Sequence, residues 1–218
     1  MSVLEPVRPR VLATQFIPNV PPGLHAAYKF APEHTAAALI TADQDDALYV
    51  ALDEATKQAP VDVVFAQSLY AGSNHSPGPF AGECLGILGG ASPEDVREGL
   101  RACIACLEHD ACFYQADEQG RLLIFPHVVS SLGRYLSKEA DLEPGSAMAY
   151  LIAPPIEALI GIDAALKAAR VELQRSFAPP TNTNFAGGYL AGDLEECEAA
   201  ATAFARAIVE LARAPRVL

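Results

Sequence analysis

Tryptophan is absent and charge is scarce, 19% of residues against 51% hydrophobic ones. That apolar share is more than a monomer of this size usually needs, so part of it is expected to be buried between subunits. No cluster of Lys and Arg stands out, and the formal charge is −12. Nucleic acid is therefore excluded as a partner, because phosphates would be repelled on balance. No apolar run reaches the roughly 18 to 20 residues that crossing a bilayer requires, which excludes a helical membrane span. Met1 to Arg10, with Pro6 and Pro9, lack the apolar core of a signal peptide, and the chain is expected to stay in the cytoplasm. The five cysteines, an odd count, read as reduced thiols and not as a disulfide framework. His25, His34, His109 and His127 show no ligand spacing such as H-x-x-x-H, so no metal is expected. A Gly-rich phosphate cradle, a nucleophile elbow and a kinase set are also missing, so neither a catalytic residue nor a cofactor is expected.

What is present is a duplication. Leu52-Asp53-Glu54-Ala55-Thr56-Lys57-Gln58-Ala59-Pro60-Val61-Asp62-Val63 recurs as Ile162-Asp163-Ala164-Ala165-Leu166-Lys167-Ala168-Ala169-Arg170-Val171-Glu172-Leu173, at an offset of 110. Each copy reads as the end of a helix running into a strand. Asp53 with Lys57, and Asp163 with Lys167, have the i,i+4 spacing of ion pairs on an exposed helix face. Further on, Ser92-Pro93-Glu94-Asp95 opens a helix with a cap, a proline and an acid, followed by the apolar stripe Val96, Leu100, Cys103, Leu107. Asp193-Leu194-Glu195-Glu196 opens its counterpart, with the stripe Cys197, Ala201, Phe204, Ile208.

The second pair of helices lies at an offset of 101, so nine extra residues fall between the two matches in the first copy. They are best placed in Ala71 to Pro79, a turn-rich stretch that regular structure would not tolerate. The shorter counterpart spans 178–184, and loops of this kind are often functional. Two further strands are predicted ahead of each core: Val11 to Ile17 and Ala36 to Ala42, then Leu122 to Val129 and Ala147 to Ala153. The chain thus divides near Asp117-Glu118-Gln119-Gly120 into residues 1–116 and 117–218, each an α+β domain with helices on one side of a sheet.

The run Gly161 to Leu173 is similar to the hallmark helix and strand of bacterial microcompartment (BMC) shell domains. Thr41 to Asp46, Asp53 to Ala59, Ser68 to Gly72, Tyr150 to Pro155 and Thr183 to Phe185 sharpen the likeness. Over essentially the whole chain it resembles the trimeric, tandem-domain shell proteins of ethanolamine-utilisation microcompartments. The resemblance implies two circularly permuted BMC domains of ferredoxin-like antiparallel build, and a homotrimer forming a pseudohexameric tile beside other shell proteins. It implies a small pore in each subunit lined by Asp45, Asp46, Glu83, the Phe113 backbone and Thr183, holding a cationic metabolite such as ethanolamine. It also implies that loops 68–79 and 178–187 gate a central opening, with Tyr70, Gly72, His75, Gly78, Pro180 and Asn182 on them. Lys57 and Lys167 fall at the lateral edge of the tile.

The residues themselves leave alternatives open. Asp45 and Asp46 could serve only as acids at a helix N-terminus, yet at offset 110 the same positions hold Pro155 and Ile156, so the fold does not require acids there. Glu83, in the apolar stretch Phe80 to Leu88, needs a partner or water. Cys103 and Cys106 form a C-x-x-C near Cys112, a weak metal or redox signal and more simply a set of buried thiols. His75 lies in the inserted loop, where a core role is not available. The rival to a shell tile is an oligomeric ferredoxin-like regulator that binds a small cationic amino alcohol; a thiol oxidoreductase is the third reading.

Overall fold

The computed structural model describes residues 4–68, 84–179, 181 and 185–214. The elements in chain order are β1 (Pro6–Val7), β2 (Val11–Ile17), α1 (Pro22–Tyr28), β3 (Ala36–Ala42), α2 (Asp45–Gln58), β4 (Val61–Ser68), β5 (Cys84–Gly90) and α3 (Pro93–His109). They continue with β6 (Phe113–Gln115), β7 (Leu123–Val129), α4 (Arg134–Ala140), β8 (Met148–Ala153), α5 (Pro155–Ala168), β9 (Glu172–Phe177), β10 (Ala186–Ala191) and α6 (Leu194–Arg213). All pairings are antiparallel and the class is α+β. Two compact units result, one of Arg8–Ala111 with Gly133–Leu136, the other of Met1–Val7, Cys112–Leu132 and Ser137–Leu218.

In the first unit the strand order is β2-β3-β5-β4. The two central strands carry small residues in register, from Ala36 opposite Gly90 to Ala42 opposite Cys84. Small side chains let the helices lie close: a Cβ on Gly86 would sit 2.8 Å from Leu52 of α2, and one on Gly90 would sit 2.8 Å from Val96 of α3. A second, smaller core gathers Val20, Phe30, Ala37 and Ile87. The start of α3 is built as its sequence predicts. Pro93 is its first residue, and the Ser92 hydroxyl accepts the Asp95 N–H at 3.1 Å while donating to the Asp95 carboxylate at 2.6 Å.

Asp53 departs from expectation. It is not on an exposed face but wholly buried. Its two carboxylate oxygens accept the backbone N–H groups of Gly133 at 2.7 Å and Leu136 at 2.8 Å. Burial pushes this carboxyl upward, and the backbone donors pull it back. Thr56, one turn nearer the helix end, accepts the Arg134 N–H at 3.0 Å, and the Arg134 guanidinium donates to the carbonyls of Thr56 and Val61 at 2.7 and 2.5 Å. Lys57 pairs instead with Glu54. The counterpart pair behaves as the spacing suggests, with Lys167 Nζ 2.7 Å from the Asp163 carboxylate and both side chains exposed.

The second unit repeats the order as β7-β8-β10-β9, with β6 and then β1 added beside β7. Its core joins Ile124, Leu151, Leu190, Phe204 and Ile208. Gly161 of α5 takes the Phe204 ring of α6 against its backbone; a Cβ there would lie 2.5 Å from the ring. Asp193 stands at the cap of α6 but makes no side-chain cap bond. Glu196 instead accepts the Arg170 N–H at 2.8 Å and its guanidinium at 2.8 and 2.9 Å, fixing the helix start to the approach of β9.

The duplication runs deeper than the sequence match. Helices α2 and α5 are both 14 residues long, 110 apart, and both end at an alanine with φ −140°. Helices α1 and α4 are 112 apart, as are β2 and β7, and each helix ends on a left-handed residue, Lys29 with φ 56° and Asp141 with φ 54°. Neither seven-residue helix is visible as a period in the sequence, because two turns are too few to establish one.

Asp53→Ala removes the acceptor of two buried N–H groups and is expected to lower the unfolding free energy by about 2–6 kcal/mol. Ser92→Ala removes a single cap and should cost about 1 kcal/mol. Urea denaturation ranks the two; equal losses would mean that Asp53 is not the stronger tie.

Candidate functional site

The acids Asp45 and Asp46 are the first two residues of α2, preceded by Gln44, which makes no side-chain cap bond. Carboxylates in this first turn complement the helix dipole. Asp45 does so while its own side chain accepts the Asp46 N–H at 3.0 Å. Three further groups converge on it. Ser68 ends β4 and pairs across the sheet with Cys84, which begins β5, and the Ser68 hydroxyl donates to the Asp45 carboxylate. Tyr49, one turn along α2, is hydrogen-bonded with Cys84.

Burial sets the electrostatics. It pushes the Asp45 carboxyl above the ordinary carboxylate range, with the Ser68 hydroxyl pulling it part of the way back. Burial also drives the Tyr49 phenol and the Cys84 thiol upward, and Asp45 adds to both shifts. Tyr49 and Cys84 therefore stay protonated, while Asp46 is buried beside Asp45. Such a set can receive a small cation and hydrogen-bond a hydroxyl, and it offers no activated nucleophile. The equivalent start of α5 has Pro155 and Ile156, with Ile156 exposed to solvent. The acidic cluster thus belongs to one repeat alone.

Phe113 belongs to the other unit. It lies in β6 opposite Val7 of β1 and is buried. Its ring centroid lies 5.0 Å from that of Phe125 and 5.9 Å from that of Phe185. Lys57 and Lys167 occupy the last turns of α2 and α5, equivalent positions in the two repeats. Glu83 and Thr183, and the loop residues Tyr70, Gly72, His75, Gly78, Pro180 and Asn182, lie outside the described residues. All five cysteines are buried and free. Burial holds the Cys103 thiol well up and pushes Cys106 up to about 12, so the C-x-x-C presents no thiolate near neutral pH. Among the described residues no group of three or more His, Cys, Asp and Glu could hold a metal, and no helix is long and apolar enough to cross a membrane. Sequence reasoning did not single out Tyr49, Ser68 or Cys84 as neighbours of the acids. Only Tyr49 carried a signal, its i,i+4 spacing from Asp45.

A scan against models of known protein families finds no match. Individual relatives are unambiguous. The chain is 48% identical over 209 residues to the bacterial microcompartment shell protein EutL of Clostridium perfringens, covering 96% of each chain. It is 46% identical over 215 residues to EutL of Salmonella typhimurium, covering 99% of this chain and 98% of that one. Among solved structures, the ethanolamine utilization protein EutL of Leptotrichia buccalis superposes with a TM-score of 0.96 at 41% identity, covering 100% of both chains. EtuB of Clostridium kluyveri shares the fold at a TM-score of 0.79 and 20% identity, over 93% of this chain and 88% of that one. With such identity along nearly the full length of both partners, the chain belongs to the EutL family of bacterial microcompartment shell proteins.

Proposed function

We propose that three copies of this shell protein close into a pseudohexameric tile of an ethanolamine-utilisation microcompartment, and that each subunit carries a small acidic pore. The observation that carries the ring is the doubled strand order, β2-β3-β5-β4 and β7-β8-β10-β9. Two like domains per chain, the sequence repeats 1–116 and 117–218, give six units from three chains, and a closed ring of six is an ordinary cyclic assembly. Tiles meet one another and other shell proteins at edges that include Lys57 and Lys167. Loops 68–79 and 178–187, rich in Gly, Ser, Asn and Pro, gate the opening on the threefold axis. A ligand at the acids biases that gate only by its difference in affinity for the open and closed states.

Asp45, Asp46 and Glu83, with the Phe113 backbone and Thr183, line the small pore and bind a cationic amino alcohol, ethanolamine being the natural candidate. The charge argument supports this: an ammonium group is matched by carboxylates, and the neighbouring Ser68 and Tyr49 hydroxyls are suited to an alcohol.

Electron microscopy of the overexpressed protein tests the tile reading. Extended layers are expected from the natural chain. Lys57→Ala combined with Lys167→Ala should thin or abolish the layers with little change in folding, since surface ion pairs are individually weak. Intact layers in the double variant would remove the lysines from the edge.

Calorimetry with ethanolamine tests the pore. Asp45→Asn with Asp46→Asn and Glu83→Gln should abolish binding without unfolding the chain. The folded Asp45 carboxyl titrates above the ordinary range because it is buried. Its charged form, the form that binds an ammonium, is therefore lost on acidification at a higher pH than for an exposed aspartate. Binding in mild acid should release protons. Binding that stays flat down to the ordinary carboxylate range would exclude Asp45 from the site.

A further inference from the structure

The two 14-residue helices differ in how much they bury. Helix α2 has nine buried residues, α5 only Ala158, Gly161 and Ala165. The excess on α2 includes Asp46, Val50, Asp53 and Thr56, a face on which residues 133–136 are bound at Asp53 and Thr56. At offset 110 that face on α5 reads Ile156, Ile160, Asp163 and Leu166, with Leu159 at the place of Tyr49. Ile156 is 68%, Leu159 70%, Ile160 46% and Leu166 40% exposed. Four large apolar side chains on one face of one helix are a surface that water penalises.

The chain also holds an unused copy of the segment that binds Asp53 and Thr56 on α2. At offset 112, Gly133–Leu136 correspond to Pro21–Leu24. Residues 21–24 are exposed, no side chain caps α1, and Leu24 and Tyr28 are among the exposed large hydrophobics.

The differences between the two sets match one another. Thr56 accepts the N–H of Arg134; Pro22 has no N–H, and Leu166 has no acceptor. Asp53 accepts from Gly133 through Oδ2 and from Leu136 through Oδ1; Pro21 has no N–H, and Asp163 Oδ2 is taken by Lys167. Leu24 keeps its N–H, for which Asp163 Oδ1 is the corresponding acceptor. Where the segment has lost a donor, the face has lost or filled the acceptor.

We infer that the exposed face of α5, centred on Leu159, Ile160, Asp163 and Leu166, is the seat for residues 21–28 of a second copy of this chain. The contact is heterologous: each copy offers one open seat and one open segment, so the contact propagates until it closes. The inference rests on the ring reading and supplies its interface.

Five preparations test it by sedimentation, circular dichroism and non-reducing gels: the natural chain, Leu159→Glu, the double variant Pro21→Cys with Asp163→Cys, and its two single-cysteine parents. The cysteine pair is chosen because a Cβ on Gly133, the counterpart of Pro21, would lie 2.8 Å from Asp53 Oδ1. The natural chain is expected to assemble. Leu159→Glu should raise the dissociation constant by about thirtyfold or more per interface, with an unchanged spectrum because the side chain is exposed. The double variant should give reducible cross-links between copies, which neither single cysteine gives. If the natural chain assembles but Leu159→Glu assembles equally well and no cross-link forms, the seat is wrong and the ring reading survives. A natural chain that stays monomeric overturns both.

Discussion

The Asp53 carboxylate is the constraint on which much else depends. It sits in the interior of the unit built on residues 8–111, without a basic side chain on its oxygens, and is held by the N–H groups of Gly133 and Leu136. A buried carboxylate of this kind is tolerable only while those donors are in place. Their position is fixed by Thr56, which accepts from Arg134, and by the close approach of Gly133, where a Cβ would lie 2.5 Å from the Thr56 hydroxyl. A stretch distant in sequence is thereby made an obligatory part of this unit, and the α2 turn that carries Asp53 and Thr56 is kept out of water.

The same helix turns its first residues to another purpose. Asp45 lies where β4 ends and β5 begins, so Ser68, Cys84 and Tyr49 reach it from three elements. Two protonated neighbours thus stand beside a desolvated carboxyl, the arrangement on which the proposed binding of a small cation rests. In the second repeat the same fold carries Pro155 and Ile156, which makes that helix start apolar. Duplication has let the two copies diverge, one toward a polar cluster and one toward an apolar surface, on a shared strand order.

Much of this architecture was legible in the sequence because the relevant signals are local. Val11–Ile17 and Ala36–Ala42 are strands with the bounds that their apolar runs suggest, and Ser92-Pro93-Glu94-Asp95 caps α3 as its residue types require. The burial of Asp53 is not legible because Asp53–Lys57 and Asp163–Lys167 have identical spacing; which acid is buried depends on residues about eighty positions away, which spacing does not report. Asp193 was expected to cap α6 with its side chain, but the neighbouring guanidinium of Arg170 organises that helix start through Glu196. Helices α1 and α4 are too short to show a period. Of the acidic site, Asp45 and Asp46 were visible through the contrast between repeats. Ser68 and Cys84 were not, because they approach through strand pairing between residues sixteen positions apart.

The central claim is that the duplicated chain closes on itself in threes. Native mass spectrometry of the purified protein measures this directly. The account predicts a dominant species of three chains, each of 23.0 kDa, with no ladder of larger open assemblies at low concentration. A stable monomer or a dimer as the principal species would contradict it.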